Sequence, residues 1–391
     1  MPHILSFPTE VLDEIFYNCL PSSEPTAIST FDSTLFIHPS CTSAPLLLCQ
    51  ICRRWRLIAI ATPRLWASLN TEFTKHSELV EIWLNRARSH PLSLRLAHPC
   101  LPDDVYAGWT PRHLPLLLPK FPQCERLHIT DMCFPSGFEP LALPLLESVS
   151  FTENSDRRSN AATVMSQLLL NAPKLRQMHW HGPRFSACWP NLSHFSLKTL
   201  WFAADSHPIP LLTHVTHLHL DFHPHWQTAI NPEIYLLPNV TTLFLGGYDS
   251  NLASFRLPAL RHLIIGDPSC VCEDHDTGSI VHLLEHSHCT LDIFELSERA
   301  HTADFLTLLT HRAVAPSITA LVISSYHLNE LFERLEQDIP GTLPDVVKHL
   351  RPVDRCFHID WTYLEAATGI LASLLCAQFP LLCHLTLDDI F

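Results

Sequence analysis

The sequence predicts an α/β protein in which a small helical module, residues 1–72, precedes an irregular solenoid, residues 73–391. Such a solenoid is a curved parallel sheet with helical return segments. Two observations predict it. An apolar hexamer of the form φ-x-x-φ-x-φ recurs ten times over the last two thirds of the 391 residues, and a proline stands two residues before eight of these hexamers. Two amphipathic helical patterns ahead of the hexamers predict the module.

The first helix is predicted over residues 7–20. Pro8 suits the first helical position, and Glu10 suits the positive end of the helix dipole. One face of this helix carries the apolar side chains of Val11, Leu12, Ile15, Phe16, Cys19 and Leu20. Residues 21–45 follow, and 14 of these 25 residues are Pro, Ser or Thr, which predicts a mobile insertion.

The second helix is predicted from about Leu46 to Ala61, and Thr62-Pro63 ends it. Its apolar face comprises Leu48, Ile51, Cys52, Trp55, Ile58 and Ala59. Largely outside that face lie Arg53, Arg54 and Arg56. Charged side chains opposite an apolar stripe are typical of a solvated helix surface.

A third helix is predicted from Ser77 to Ser89, and strict alternation over residues 91–96 predicts the first strand directly after it. A buried helix followed at once by a strand leaves little room for a free linker. We therefore expect the helical module and the solenoid to pack against each other.

Each hexamer sends its last two apolar side chains to one face of a short strand, and stacked copies can bury a face that one strand cannot. The prolines are expected where each strand begins, since that position needs no ladder donor. The hexamers begin at Cys124, Leu146, Leu175, Leu192, Val215, Val240, Leu260, Leu291, Ile318 and Leu382. Helical return segments are predicted at 161–171, 279–287, 303–312, 326–337 and 362–378, with a further strand around 356–361.

The residues flanking the fourth position of each hexamer are predicted to form two columns on the opposite face of the sheet. Seven of these 20 positions are His, although the whole chain has only 27 His in 391 residues. Because parallel strands lie about 4.8 Å apart, His194 and His217 are expected to be neighbours. The candidate partner-binding face comprises His179, His194, His217, His219 and His262.

Two explanations of this histidine surplus stay open. The cluster could recognise an acidic or phosphorylated partner, respond to pH near neutrality, or hold a metal. Alternatively, duplicated repeats inherit exposed histidines that are merely tolerated. Cys270-x-Cys272-x-x-His275 has ligand types that suit zinc, but its Cys-x-Cys spacing is tighter than that of structural zinc sites. No metal and no cofactor are therefore predicted.

Composition narrows the function classes. The formal charge of −14 argues against nucleic acid as the main ligand, and only 9 glycines and no phosphate-loop motif occur. The sequence has no apolar run long enough to span a membrane, and no secretory signal is visible at its start. The 14 cysteines are then expected to be reduced thiols in the cytoplasm or nucleus. Because hydrolase, metalloprotease and deaminase motifs are absent, the chain is predicted not to be an enzyme.

Three segments of the N-terminal region carry a family resemblance. They are Phe7-Pro8-Thr9-Glu10-Val11-Leu12-x-x-Ile15-Phe16, then Leu48-x-x-Ile51-Cys52-Arg53-Arg54-Trp55-Arg56, and finally Pro63-Arg64-Leu65-Trp66. Together, over residues 5–70, they resemble the F-box motif, with its Leu-Pro-x-Glu start, its Cys-Arg-x-Trp centre and its Pro-x-Leu-Trp end. Phe7 stands in place of the usual Leu, and the insertion at 21–45 is longer than is common.

The resemblance implies a function. F-box proteins dock the Skp adaptor of a cullin-RING ubiquitin ligase through this module, and many present a protein substrate on a C-terminal leucine-rich-repeat domain. It therefore implies the substrate-recognition subunit of an SCF-type ligase, with the adaptor, a cullin bound through it and an unknown protein substrate as partners. The alternative is a leucine-rich-repeat-like scaffold that binds protein without a ligase. The implied adaptor contacts, some of which must instead form the module's own core, are Phe7, Pro8, Val11, Leu12, Ile15, Leu48, Ile51 and Trp55.

Overall fold

The computed structural model describes residues 7–20, 36–71, 77–97, 113–130, 134, 141–153, 161–181, 189–199, 212–222, 234–247, 252, 254–266, 277–296, 318–324 and 384–388. The chain divides into two compact units, Met1–Trp201 and Phe202–Phe391. This division falls within the run of hexamers. The predicted boundary at 72/73 stays a prediction.

The first unit begins with helices and continues with parallel strands. Its α-helices are α1 (Thr9–Asn18), α2 (Leu48–Ile51), α3 (Arg53–Ala61), α4 (Ser77–Ala87), α5 (Leu114–Leu117) and α6 (Ala161–Leu170). Two 3₁₀ helices lie at Pro63–Trp66 and Leu118–Gln123. The strands are β1 (Ser68–Asn70), β2 (Leu92–Ala97), β3 (Cys124–Thr130), β4 (Ser148–Thr152), β5 (Gln177–His181) and β6 (His194–Thr199). They pair in sequence order, each parallel to the next.

The second unit repeats this arrangement. Its strands are β7 (His217–Phe222), β8 (Tyr235–Leu236), β9 (Thr242–Gly247), β10 (Phe255–Arg256), β11 (His262–Ile265), β12 (Ile293–Leu296), β13 (Ala320–Ser324) and β14 (His384–Asp388), with one described helix, α7 (Thr277–Ser287). Six of the strands pair in parallel in the order β7-β9-β11-β12-β13-β14. The short strands β8 and β10 form a separate parallel pair.

All ten predicted hexamers coincide with a strand, and their fourth positions align. In the first unit Leu127, Val149, Met178 and Phe195 lie opposite one another in successive strands. In the second unit the aligned residues are Leu218, Leu243, Leu263, Phe294, Leu321 and Leu385. The prediction of an α/β chain with parallel strands in sequence order is therefore confirmed. The return helices predicted at 161–171 and 279–287 correspond to α6 and α7, and the remaining ones lie outside the described residues.

Pro144, Pro173, Pro190 and Pro258 lie in turns ahead of their strands, which corrects the prediction that the prolines begin the strands. Pro316 and Pro380 lie outside the described residues. In a recurring pattern, the amide of the first hexamer residue donates to the carbonyl three residues earlier: Leu146 to Leu143 at 3.2 Å, and Leu260 to Leu257 at 3.1 Å. This spacing puts Pro144 and Pro258 at the second position of a four-residue turn. Proline suits that position because its ring already holds the φ angle that the turn requires.

The predicted helix over residues 46–61 is broken. Cys52 has extended dihedrals, φ −158° and ψ 170°, and separates α2 from α3. Its Sγ accepts a hydrogen bond from the amide of Trp55 at 3.5 Å, so Cys52 is the N-cap of α3. Pro8 likewise precedes α1: its carbonyl accepts the first helical hydrogen bond, from Leu12 at 3.1 Å.

The helical segment continues directly into the sheet. The sequence prediction missed strand β1, which follows the 3₁₀ helix after one residue and pairs with β2. Above this junction the indole rings of Trp66 and Trp83 meet edge to face with centroids 4.8 Å apart. The Trp83 indole N–H donates to the carbonyl of Ser68 at 3.0 Å, and both indoles are fully buried. Trp66 and Trp83 therefore belong to one interior that lies against β1.

The predicted mobile insertion needs correction over residues 36–45. Phe36, Ile37 and Ala44 are buried there, at 8%, 4% and 6% exposure. The carbonyl of Ile37 accepts a hydrogen bond from the amide of Asn70 at 2.8 Å, so this stretch borders β1. Residues 21–35 lie outside the described part of the chain.

The described helices are at most 11 residues long. A membrane span needs about 20 apolar residues. Within the described ranges, then, no helix has the length and apolarity to cross a bilayer.

Candidate functional site

The structure offers two candidate surfaces, and the first is the N-terminal helical segment, residues 7–71. Nine large apolar side chains are exposed among the described residues, and five of them lie in this segment: Val11, Tyr17, Leu47, Ile51 and Leu57. Leu57 is 60% exposed and Ile51 is 55% exposed. Large apolar groups concentrated on a short segment are typical of a surface that another protein covers.

The eight residues implied as adaptor contacts divide by exposure. Leu12 and Leu48 are buried, at 0% and 4%, and belong to the interior of the segment. Half-buried side chains are those of Phe7, Ile15 and Trp55. Pro8, Val11 and Ile51 are exposed. Three of the eight are thus freely available to a partner in this conformation.

The interior of the segment is built from the other faces of the same helices. Leu12 and Phe16 of α1 are fully buried, and the Phe16 ring lies 4.8 Å from the Trp55 ring, centroid to centroid. Ala59 and Leu65 complete this core, both at 0% exposure. The alternation of buried and exposed apolar residues follows the helical period, so one face forms the core and the adjoining face stays apolar but uncovered.

Arginines tie the helices together, although the sequence suggested only a solvated surface. Arg54 donates to the carbonyl of Phe7 at 2.7 Å, and Arg56 donates through Nε to the carbonyl of Cys49 at 2.7 Å. The second contact satisfies a backbone acceptor near the break between α2 and α3. Residues that look like surface charges in the sequence therefore connect α3 to the chain before α1 and to α2.

Arg64 also connects separate elements, because it pairs with residues of α1. Its Nη2 lies 3.0 Å from a carboxylate oxygen of Asp13 and 2.7 Å from one of Glu14, and its guanidinium stacks 4.6 Å above the Tyr17 ring. All three partners belong to α1. The sequence alone does not reveal this contact, because Glu14 and Arg64 are 50 residues apart. The only signal was the combination of an acid-acid pair on α1 with an arginine in the Pro-Arg-Leu-Trp segment.

The second candidate surface is the variable face of the strands, where the predicted columns are present within each unit. In the first unit Arg126, Ser148, Gln177 and His194 are paired in successive strands, and so are His128, Ser150, His179 and Ser196. Strand β2 extends both columns by Ser93 and Arg95. In the second unit the columns begin with His217, Thr242 and His262 and with His219, Phe244 and Ile264. The expected proximity of His194 and His217 concerns different units and stays a prediction.

The histidines of the first unit are held by hydroxyl groups. His179 Nδ1 and Ser196 Oγ share a hydrogen bond of 2.7 Å, and His194 Nδ1 and Ser193 Oγ share one of 2.9 Å. Both imidazoles are half-buried. A hydroxyl can donate or accept, so these contacts hold each ring in place in either protonation state.

His128 is in a different environment. Its Nε2 lies 2.9 Å from Thr130 Oγ1, and its ring meets that of Phe36 at 5.7 Å between centroids. Burial, with a smaller contribution from the charge of Arg95, lowers the pKa of His128 to about 4. This imidazole is therefore neutral at pH 7 and adds no charge to the face.

The second unit has a different set of contacts. His262 Nε2 lies 3.2 Å from Glu295 Oε2, and burial, followed by the charge of His262, lowers the pKa of His217. The ring of His219 packs edge to face on Phe244 at 4.1 Å. A carboxylate and apolar side chains therefore share this face with the histidines.

Metal ligation has little support within the described ranges, where no group of three or more His, Cys, Asp or Glu residues is placed to hold an ion. His282 and His286 stack with centroids 3.7 Å apart on α7, and His286 Nδ1 lies 2.9 Å from the carbonyl of His282. The Cys270 to His275 segment lies outside the described residues.

Neither a protein-family model nor a curated protein sequence matches this chain.

Proposed function

We propose that this chain is the substrate-recognition subunit of an SCF-type ubiquitin ligase, in which it has no catalytic role. The helical segment would dock a Skp-type adaptor and, through it, a cullin. The strands would form a leucine-rich-repeat-like solenoid whose variable face binds a protein substrate. The observation that carries this proposal is the set of exposed apolar side chains within the F-box-like motif.

Some apolar residues of the motif are buried and others are exposed, which supports a role in docking an adaptor. Leu12 and Leu48 occupy the interior, while Val11 and Ile51 leave 43% and 55% of their surface exposed on the same helices. A segment that served only as a cap for the sheet would gain by burying these side chains or replacing them with polar ones, since each large apolar group gains roughly 1.5–3 kcal/mol on burial. A partner that covers them would supply that gain.

The packing of the helical segment on the first strands supports the proposal that the strands present a substrate. Trp66 and Trp83 hold the helical segment on the first strands with shared burial and a hydrogen bond. A substrate bound near these strands would therefore keep a defined position relative to the adaptor. That is what a ligase receptor requires, because ubiquitin transfer depends on placing the substrate within reach.

The test is co-purification of the full chain with a Skp adaptor. Val11→Glu combined with Ile51→Glu puts charge onto the exposed apolar surface, and we expect adaptor binding to fall at least about tenfold, because burying an unpaired carboxylate is costly. Leu170→Glu is the matched control, because Leu170 is 62% exposed but belongs to α6 outside the motif. This variant should bind like the wild type.

Two results would contradict the ligase proposal: a wild-type chain that fails to bind the adaptor, or a double variant that binds it as well as the wild type does. In either case the alternative, a repeat scaffold that binds protein without a ligase, becomes the better account. Circular dichroism of each variant checks that the fold is retained.

A further inference from the structure

The variable face of strands β2 to β6 has a composition unlike that of the whole chain. Its ten column positions are Ser93, Arg126, Ser148, Gln177, His194, Arg95, His128, Ser150, His179 and Ser196. None is Asp or Glu, although the chain has 39 acidic residues against 25 basic ones. None is Phe, Tyr, Trp or a large aliphatic side chain, and the described apolar ring that packs on this face is Phe36, which contacts His128.

The side chains that a ligand can reach on this face are hydrogen-bond donors. Arg126 leaves 44% of its side chain exposed, and Arg95, Gln177, His179 and His194 are half-buried. The small residues between them are out of reach, since Ser148, Ser150 and Ser196 are only 7%, 1% and 6% exposed. A ligand would thus meet two guanidinium groups, one amide and two imidazoles.

Few carboxylates on these strands could compete with a ligand for the arginines, and their contacts are weak. Glu125 belongs to β3 at the register shift and contributes to neither column, and its Oε1 lies 4.0 Å from Arg126 Nε, at the limit of an ion pair. Both side chains are about 40% exposed, at 39% and 44%, so this contact is screened by water. Arg126 is therefore available for a stronger, charge-assisted hydrogen bond.

The arrangement of the donors distinguishes between two kinds of anion. A single phosphate would need several donors converging on one point. Here the reachable groups lie on four different strands, β2, β3, β5 and β6. Adjacent strands are about 4.8 Å apart, so the row extends over roughly 19 Å. An extended peptide that rises about 3.3 Å per residue would cover this row with about six residues.

From this charge complementarity we infer that the face of β2 to β6, which we call the arginine–histidine face, binds an Asp- or Glu-rich segment of a partner protein. The segment crosses the strands in extended form, with its carboxylates accepting hydrogen bonds from Arg95, Arg126 and the neighbouring amide and imidazoles. The inference names the substrate class for the proposed receptor and rests on that proposed function for its biological meaning.

The test measures peptide binding by the full chain without any adaptor. Fluorescence anisotropy at pH 7.5 compares a labelled peptide of alternating Glu and Ser, the same peptide with Gln for Glu, and a Gln/Ser peptide that carries one phosphoserine. We expect the Glu peptide alone to bind well, and an increase from about 50 to 300 mM NaCl to weaken its binding several-fold, because salt screens exposed charges. This salt series needs no variant and therefore does not depend on the folding of one.

A charge-removing variant locates the site. Arg126→Gln should weaken binding of the Glu peptide about three- to tenfold, since one charge-assisted contact is lost from a partly exposed surface. Arg88→Gln removes the same charge from an exposed arginine in the turn after α4, which is part of no strand, and should leave binding unchanged.

Several outcomes would overturn the inference. The Glu and Gln peptides could bind equally or not at all, the single phosphoserine peptide could bind more tightly than the Glu peptide, or Arg88→Gln could weaken binding as much as Arg126→Gln does. The adaptor experiment is independent of this one. Adaptor binding without peptide binding would remove only the substrate class, while peptide binding without adaptor binding would remove the ligase function and keep the surface.

Discussion

At the scale of single residues, side chains with similar sequence signals have different roles in the structure. Arg54, Arg56 and Arg64 all lie in the motif-bearing segment, yet each binds a specific backbone carbonyl or carboxylate. Among the column histidines, His179 shares a hydrogen bond with a serine hydroxyl, whereas His128 packs against an aromatic ring. The role of a polar residue thus depends on partners that lie far away in the sequence.

His128 makes a pH-dependent contribution to stability. Its folded-state pKa of about 4 lies below the usual value near 6.5, so the unfolded chain binds the proton more readily. Stability should therefore be fully present above pH 6.5 and fall as the pH drops from about 6.5 to 4, by at most roughly 3 kcal/mol from this group. Urea unfolding at pH 7 and pH 5 measures the loss.

His128→Gln removes the titrating group. The difference in the free energy of unfolding between pH 7 and pH 5 should therefore be smaller in this variant than in the wild type. His214→Gln is the control, since His214 is exposed in the turn before β7. An unchanged pH dependence in His128→Gln would show that other groups cause it.

At the scale of elements, the sequence pattern predicts which segments are helices and strands better than it predicts their ends. The helix predicted over residues 46–61 exists as two helices, because Cys52 takes an extended conformation that hydrophobic periodicity does not reveal. The column pattern extends to β2, where Arg95 was missed as a face residue because this strand is not one of the ten hexamers from which the columns were predicted. Strand β1, only three residues long, shows no alternation that a pattern search could detect.

The N-cap of α3 gives a prediction at this scale. Cys52→Ala should destabilise the protein by about 0.5–1 kcal/mol, because the amide of Trp55 loses its acceptor, whereas Cys52→Ser should be as stable as the wild type or more so, since serine is a preferred N-cap. Urea denaturation of the two variants is the measurement. Equal destabilisation of both would mean that the thiol acts through packing and not as a cap.

At the scale of the whole molecule, stacked strands account for most of the described fold, and the helical segment is attached to the first of them. The fourth hexamer positions align within each unit, and their side chains are buried from Leu127 to Phe195 and from Leu218 to Phe294. Fully buried rings such as Phe151 and Trp180, 4.5 Å apart, fill this interior. Because β1 continues the helical segment, unfolding of β1 and β2 should also affect α3.

This coupling can be measured at the Trp66–Trp83 junction. Trp83→Ala should destabilise the protein by roughly 3–5 kcal/mol, as is typical for a buried tryptophan, and should speed amide hydrogen exchange in both α3 and β2. Ile82→Ala is the matched control on the same helix, because Ile82 is 45% exposed. Faster exchange confined to β1 and β2 would show that the helical segment folds independently of the strands.

The sequence by itself determined the α/β class, the positions of the ten aligned strands and the two variable columns, because apolar alternation and a recurring Pro turn are local signals that each copy repeats. It also located the apolar helices that resemble an F-box. Only the tertiary structure decided which of those apolar residues are core and which stay exposed, as with Leu12 and Val11, and which distant partners the arginines bind. The reason is physical: burial and pairing depend on what packs against a residue, and that is set by contacts between segments far apart in the sequence, as between Glu14 and Arg64, which are 50 residues apart.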